Sequence, residues 1–209
     1  MEDHPTFRQG LIQILNGEPH LKVCGAAGTV DQALPEITRT KPDLVLVDIS
    51  LPGRSGLELI KEIRAVDRRI KLLVISMHDE ALYAARVLRA GGDGYIMKQE
   101  DPDEIIQAIR DVLAGHIYVS EEVMSNNRRA GRTRRSEEKT RPLDLLTDTE
   151  LEILELLGRG KSSHEIGRKL RLSERTVTAT RSQLRGKLGL KNAQELFRYA
   201  VCWVESEGG

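Results

Sequence analysis

The sequence predicts a doubly wound α/β domain followed by a small all-helical one, and three observations carry that expectation. The first 120 residues alternate short apolar runs with amphipathic helical patterns, the order that builds a parallel sheet with helices on both faces. The stretch Ser125–Pro142 holds almost nothing that can be buried, the composition of a solvated tether. Beyond it, each helical pattern opens on its own capping residue.

In the first half, Thr6–Leu15 reads as a helix stopped near Gly17, Leu21–Gly25 as a strand, and Val30–Thr40 as a helix with Asp31 in its first turn. Asp43-Leu-Val-Leu-Val-Asp48 is a continuous apolar run, the mark of a strand buried on both faces. A Pro52-Gly53 turn, a helix over Gly56–Val66 and a strand over Lys71–Ser76 follow. A helix over Glu80–Ala90 stops at Gly91-Gly92, and a strand over Gly94–Met97 and a helix over Pro102–Ala114 end the series. In the second half, Thr147-Asp-Thr-Glu150 and Ser162-Ser-His-Glu165 are capping boxes, and Ser173 and Asn192 are good N-caps. They predict helices over Asp148–Gly158, Ser163–Leu170, Glu174–Leu188 and Ala193–Val204. The short Leu170–Ser173 break between the second and third is a helix-turn-helix connection.

The 209 residues carry 32 basic and 32 acidic side chains, yet the balance is uneven. Residues 1–120 hold 14 basic against 18 acidic, and residues 121–209 hold 18 against 14. Between Lys161 and Lys191 the count is nine to two. Only the second half is therefore expected to meet an anionic polymer. No apolar stretch approaches the ~20 residues of a membrane span, and Met-Glu-Asp-His is no signal peptide. Two distant cysteines, Cys24 and Cys202, exclude a disulfide scaffold or a cysteine-based zinc site and point to a reducing, cytoplasmic setting. An aromatic content of 3% speaks against a surface that stacks RNA bases.

In an open α/β sheet the reactive crevice lies outside the carboxyl ends of the strands. Glu2 and Asp3 precede the first helix, Asp48 and Ser76 close two successive strands, and Lys98 follows the last. Two or three carboxylates without a basic sequence neighbour suit Mg²⁺, which prefers oxygen ligands. A hydroxyl and an ammonium opposite them suit the oxygens of a phosphoryl group. The set reads as an aspartate, Asp48, that becomes phosphorylated, with Ser76 and Lys98 holding the new oxygens. Each residue alone has a plain alternative, since such an Asp is commonly a turn cap and such a Ser or Lys commonly meets solvent; the combination is specific.

Val45-Leu-Val-Asp48-Ile-Ser-Leu-Pro52-Gly-Arg-Ser-Gly56-Leu-Glu and Gly94-Tyr-Ile-Met-Lys98 resemble a response-regulator receiver domain of two-component signalling, over most of residues 2–116. The resemblance implies a flavodoxin-like fold and phosphate transfer to Asp48 from a sensor histidine kinase. It also implies Mg²⁺ held by Glu2, Asp3, Asp48 and the Ser50 carbonyl, and a switch pair of Ser76 and Tyr95. Phosphorylation would draw the Ser76 hydroxyl inward and Tyr95 would follow into the space released. Ser50 and His78 would flank the pocket and set access for water.

One departure matters. Receivers open with an apolar strand directly before the acidic pair, and this chain opens at the pair. In the 2-1-3-4-5 order of such sheets the absent strand is the central one. Its loss leaves ladder groups of both neighbours unpaired at ~1–3 kcal/mol each, so the natural protein is expected to start roughly seven to ten residues upstream, one strand and its lead-in.

Leu146-Thr-Asp-Thr-Glu150-Leu-Glu-Ile-Leu, Gly160-Lys-Ser-Ser-His-Glu165-Ile, Leu172-Ser-Glu-Arg-Thr176-Val177 and Lys187-Leu-Gly-Leu resemble the LuxR-type helix-turn-helix. With the receiver in front, the architecture is similar to that of the NarL/FixJ transcription regulators. At 100° per residue, Val177, Leu184 and Leu188 share one stripe of the third helix and should pack inward. The opposite side carries small and polar residues that can enter a major groove. Thr178, Ala179 and Ser182 are expected near base edges, and Arg175, Arg181, Arg185, Lys187 and Lys191 near phosphates. Relatives commonly have His where this chain has Thr180, so its base preferences should differ. By the same resemblance, part of the last helix pairs two copies on DNA as a homodimer, while Phe197 and Trp203 also suit packing within the domain.

The expected boundaries are 1–120 for the receiver, 121–143 for a flexible linker and 144–209 for the DNA-binding domain. The leading expectation is a transcription regulator in which the unmodified receiver covers the recognition helix or blocks dimerisation, until phosphate on Asp48 shifts the population. Two alternatives are a degraded receiver that works without phosphate, and an aspartate-nucleophile phosphatase. The latter needs a second Asp two residues after the nucleophile, where this chain has Ser50.

Overall fold

The computed structural model describes residues 1–51, 54–121, 123–124 and 142–207. The expected Pro52-Gly53 turn and most of the expected linker lie outside the described residues. The chain divides into two compact units, Met1–Arg129 and Ala130–Gly209. Among the described residues, no helix is long and apolar enough to cross a membrane.

The first unit runs α1 (Pro5–Gly17), α2 (Val30–Thr40), β1 (Leu44–Val47), α3 (Gly56–Val66), β2 (Lys71–Ser76), α4 (Glu80–Ala90), β3 (Gly94–Met97) and α5 (Pro102–Leu113). The strands are parallel in the order β1-β2-β3, with Val47 opposite Val74 and Ser76 opposite Met97. Leu73, Ile75 and Ile96 meet Leu11 and Leu15 of α1 and Ile105, Ile109 and Val112 of α5. The other face is covered by α2, α3 and α4, which bury Leu59, Ile60, Ile63, Tyr83 and Val87. At ~1.5–3 kcal/mol for each large apolar side chain removed from water, these two layers fix which strand ends lie together. Ser55 and Asp79 cap α3 and α4 by accepting from Leu57 N and Ala81 N.

The expected strand at Leu21–Gly25 is not formed; residues 21–27 carry no regular structure, and among the described residues the sheet has three strands rather than four. A parallel strand exists only through its ladder, and a cavity of about 410 Å³ lies beside this stretch, lined by Leu21, Val23, Leu44, Leu46, Ile75 and Ile109 among others. Met1 and Glu2 bridge the same gap at the site end. The Met1 ammonium donates to Leu46 O at 2.9 Å, Asp48 N donates to Met1 O at 3.1 Å, and Glu2 N donates to Ala27 O at 3.0 Å. Burial pushes the Met1 amine down to about 6.

After α5 the chain returns to the sheet. Tyr118 bridges to Gly94 in parallel, with Tyr95 N donating to Tyr118 O at 2.7 Å and Tyr118 N to Asp93 O at 3.1 Å. The Tyr118 hydroxyl reaches Glu104 at 2.7 Å, and Ser120 N donates to Glu80 Oε1 at 2.7 Å.

The second unit contains a 3₁₀ turn (Pro142–Leu145) and helices α6 (Asp148–Gly158), α7 (Ser163–Leu170), α8 (Glu174–Lys187) and α9 (Ala193–Glu207). Both expected capping boxes form, at Thr147/Glu150 and Ser162/Glu165. Arg171 takes the left-handed conformation with φ 54° between α7 and α8, and Leu172 N donates back to Gly167 O at 2.9 Å. A Cβ on Gly167 would stand 2.7 Å from Leu172 O, so this tight turn admits only glycine. Val177 and Leu184 are fully buried, together with Leu151, Ile153, Leu154, Ile166, Leu196 and Ala200. Leu188 departs from the expected buried stripe: α8 ends at Lys187, and Leu188, its C-cap, is half-buried. On α9, Trp203 faces the core while Phe197 stays 43% exposed.

Candidate functional site

The carboxyl ends of β1 and β3 bring Asp48 and Lys98 together with Glu2, and Ser76 ends β2, the strand between them. Register sets their depth: Asp48 follows Val47 on β1, Ser76 ends β2, and Lys98 follows Met97 on β3 with its N–H on Ser76 O at 2.8 Å. Lys98 Nζ reaches Asp48 Oδ2 at 2.8 Å and Glu2 Oε2 at 2.6 Å. All three side chains are nearly sealed from solvent, at 6%, 2% and 3% exposure. Ser50 N donates to Asp48 Oδ1 at 3.2 Å. Gly56 lets the loop close, because a Cβ there would stand 2.1 Å from Asp48 O.

Burial pushes the Asp48 carboxyl above its ordinary value, against the pull of the Lys98 ammonium. Burial alone would lower Lys98, but the facing Asp48 and Glu2 carboxylates outweigh it and hold the amine above its ordinary value. The ammonium therefore stays charged across the whole physiological range. It also lies 4.9 Å from the centre of the Phe7 ring. Neither Phe7 nor Met1 was expected at the site; they come to it from the first turn of α1 and the segment before it, and single-residue chemistry gives no signal for either.

Glu2, Asp3, His4 and Asp48 each place a ligand atom within 4.8 Å of the others. Lys98 takes one oxygen of Glu2 and one of Asp48, which leaves Glu2 Oε1, Asp48 Oδ1 and Asp3 on the other side. Asp3 Oδ1 is buried and accepts no hydrogen bond, although His4 Nδ1 stands 2.8 Å away. An orphaned carboxylate oxygen among other carboxylates fits a hard divalent cation such as Mg²⁺. His4 was missed at the sequence level, where its place directly after the acidic pair was the available signal.

Ser76 and Tyr95 are both buried, and the same residue links them. His78 N donates to Ser76 Oγ at 3.2 Å, and the Tyr95 hydroxyl donates to His78 O at 2.7 Å. Tyr95, expected to move inward only after modification, is already 1% exposed here. The Ser50 hydroxyl meets His78 Nε2 at 2.6 Å.

In the second unit, α8 turns Arg175, Thr178, Ala179 and Ser182 to solvent as expected, with Arg185 half-buried beside them and Lys191 exposed past the helix end. Arg181 Nη1 donates to Ser163 Oγ at 2.6 Å, tying α8 to the start of α7. Lys187, expected near a phosphate, also has a partner within its own domain. Its ammonium pairs with Glu150 Oε2 at 2.6 Å and approaches Leu145 O at 3.4 Å. Glu150 is buried at the capping box of α6, and a buried carboxylate demands a cation more strongly than solvent does. Burial would raise the Glu150 carboxyl, but Lys187 and the Thr147 hydrogen bonds hold it below its ordinary value.

Comparison with known proteins gives a consistent result. Residues 1–110 match the family model described as the response regulator receiver domain, and residues 144–200 match that of bacterial regulatory proteins of the luxR family. The oxygen regulatory protein NreC of Staphylococcus aureus (strain JH9) is 35% identical over 210 residues, covering 96% of this chain and 94% of the relative. A LuxR-family two-component response regulator from Aurantimonas sp. SI85-9A1 shares 32% identity with a TM-score of 0.57, covering 62% of this chain and 94% of that one. The RcsB response regulator of Salmonella typhimurium, at 24% identity and a TM-score of 0.64, covers 96% of this chain and 94% of its own and shows the same fold.

Proposed function

The chain belongs to the response regulators that join a receiver domain to a LuxR-type helix-turn-helix, and on that premise we propose that it is a DNA-binding regulator switched by phosphorylation of Asp48. One observation carries the assignment: a single buried ammonium, Lys98 after β3, bridges Asp48 after β1 and Glu2 before α1. An Asp48 oxygen attacks phosphorus, the bond to the leaving group breaks, and a mixed anhydride of carboxylate and phosphate remains. Lys98, charged at every relevant pH, pairs with the oxygen charge that develops. Ser76 supplies a hydroxyl at the same level of the sheet. Glu2, Asp3, Asp48 Oδ1 and the Ser50 carbonyl would hold Mg²⁺, which when bound neutralises charge on the incoming phosphoryl group. A sensor histidine kinase is the phosphoryl donor that a receiver implies.

The basic helix supplies the output. Thr178, Ala179 and Ser182 are short enough to let α8 sit deep in a major groove and meet base edges, while Arg175, Arg181, Arg185 and Lys191 reach phosphates. The exposed Phe197 on α9 favours pairing of two copies on paired half-sites. Boundaries of 1–120, 121–143 and 144–209 suit a receiver, tether and DNA-binding domain, in a protein working in the cytoplasm. The grouping of Asp48, Lys98 and Glu2 favours this reading over a phosphate-independent regulator, and Ser50, bonded to His78, offers no carboxylic acid for phosphatase chemistry.

Acetyl phosphate with Mg²⁺ tests the core of this. The full chain should gain the mass of one phosphoryl group and Asp48→Asn should gain none. A phosphoryl group on the Asn variant would refute the assignment. DNA selected from a random pool should be enriched more strongly by the phosphorylated protein.

A further inference from the structure

The Phe7 ring stands at the pocket without a task in the chemistry above. Pro5 opens α1, and the first turn of that helix brings two neighbouring side chains to the site. Arg8 Nη1 donates to the backbone carbonyl of Glu2, and the Lys98 ammonium lies over the Phe7 ring, 4.9 Å from its centre. The ring is half-buried and packs against the core that α1 shares with α5, β2 and β3, which fixes where its face points. Lys98 uses two of its three N–H donors on Glu2 Oε2 at 2.6 Å and Asp48 Oδ2 at 2.8 Å. Those two bonds are directional. The negative face of an aromatic ring instead attracts a cation anywhere within ~6 Å of its centre, and more strongly where water is shut out. Lys98 meets that condition, since its side chain is nearly sealed from solvent.

We propose that Phe7 is a positioning residue for phosphoryl transfer, whose ring face holds the Lys98 ammonium in the pocket while its hydrogen bond passes from Asp48 to the phosphoryl oxygens. The inference rests on Asp48 being the phosphoryl acceptor. With acetyl phosphate as donor, an Asp48 oxygen forms a bond to phosphorus, and the bond from phosphorus to the acetyl oxygen breaks. Acetate leaves with that electron pair, and Lys98 keeps its proton throughout. Asp48 gives up its negative charge in this step, so its bond to the ammonium weakens just as charge develops on the phosphoryl oxygens. Glu2 keeps its charge and draws the ammonium toward itself, away from the oxygens that need it. The ring carries no ionisable group, so its attraction is the same before and after the step. It lets Nζ pivot to a new partner without letting it leave, which is a matter of position rather than of added charge.

The test follows the rate at which the full chain takes up a phosphoryl group from acetyl phosphate with Mg²⁺, read by intact mass. Phe7→Leu keeps an apolar side chain and removes the ring face; uptake should slow about three- to thirtyfold, the span of one such contact to a poorly solvated cation. Phe7→Trp, which offers a stronger face, should recover most of the wild-type rate. Fluorination separates attraction from packing, because each fluorine drains charge from the ring face and barely alters its shape. The chain has two phenylalanines, and Phe197 lies in the second unit, so protein made with mono-, di- and trifluorophenylalanine changes one ring at the pocket. The rate should fall step by step along that series. The fluorinated proteins also keep the test open if Phe7→Leu unfolds. A rate that ignores the fluorines, whether or not Phe7→Leu slows uptake, would reduce Phe7 to packing and overturn the inference alone. Failure of the wild type to take up phosphate would instead overturn Asp48 as acceptor, and the role of Phe7 with it.

Discussion

Replacing Lys187 by Met separates two roles that a basic residue at the end of α8 can have. The long apolar stem is kept and the charge removed. In the structure the ammonium bonds Glu150 Oε2 at 2.6 Å, and the Glu150 side chain is 6% exposed. A hydrogen bond to a charged group is worth ~1.5–3 kcal/mol, but the Lys187 side chain is 38% exposed, which screens the pair. Thr147 N still donates to Glu150 Oε2 at 2.7 Å, so the carboxylate is not orphaned and the ~3–5 kcal/mol of a broken buried pair is not reached. A loss of about 1–2 kcal/mol is expected. Trp203, the single tryptophan of the chain, is buried on α9, so urea unfolding followed by its fluorescence reports this domain alone. The midpoint should fall while the slope stays constant. The sign with pH follows from Glu150: its carboxyl is held below the ordinary 4.5, so the contribution is full above that value and is lost as pH falls through the lower folded one. Affinity for DNA should keep its salt dependence. An unchanged urea midpoint, together with a salt slope shallower by about 0.9, would refute the reasoning and return Lys187 to the phosphates.

Further outcomes follow from the same geometry. Gly56→Ala would force a Cβ to 2.1 Å from Asp48 O; loss of the receiver fold or of phosphoryl uptake is expected, seen as a missing thermal transition or an unmodified mass, and a stable, phosphorylatable variant would contradict it. Asp48 sits above its ordinary 3.8 because of burial, so native protein binds the proton more tightly than unfolded chain and stability falls as pH rises through that window. Asp48→Asn should therefore melt no lower than wild type at neutral pH and should gain on it between acid and neutral conditions; a lower melting temperature at pH 7 would count against this. Arg175→Ala should weaken all DNA sequences alike with a salt slope shallower by about 0.9, whereas Ser182→Arg should change which sequences are selected. The same selection profile for both variants would contradict the two roles.

Most of the architecture could be read from residue pattern because it rests on local rules. Thr147 and Ser162 announce their helices through capping boxes, and both boxes form. The apolar run at Lys71–Ser76 buries both faces because helices cover both, whereas at Leu44–Val47 only Val45 and Val47 are buried and Leu44 and Leu46 are half-buried beside the cavity. Asp48 and Lys98 could be grouped in advance because strand ends of a parallel sheet converge. Leu21–Gly25 could not be settled that way: a strand is a property of a pair, and its partner is not written in its own residues. The partner of Lys187 was hidden for a related reason. Its charge and position suit a phosphate, and nothing near it in the chain announces its pairing with Glu150, 37 residues away.

The return of residue 118 to the margin of β3 has a consequence for dissecting the molecule. The peptide groups of Tyr95 and Tyr118 are zipped together, so the exit toward the second unit begins as the outermost rail of the sheet rather than as loose chain. A scission placed just after α5 would strip that rail and leave the flank of β3, the very strand carrying Tyr95, open to adhesion by other extended chains. A receiver cut out for separate study should therefore retain the chain through Ser120, whose own amide is anchored by Glu80, and a shorter fragment should clump where the longer one stays dispersed.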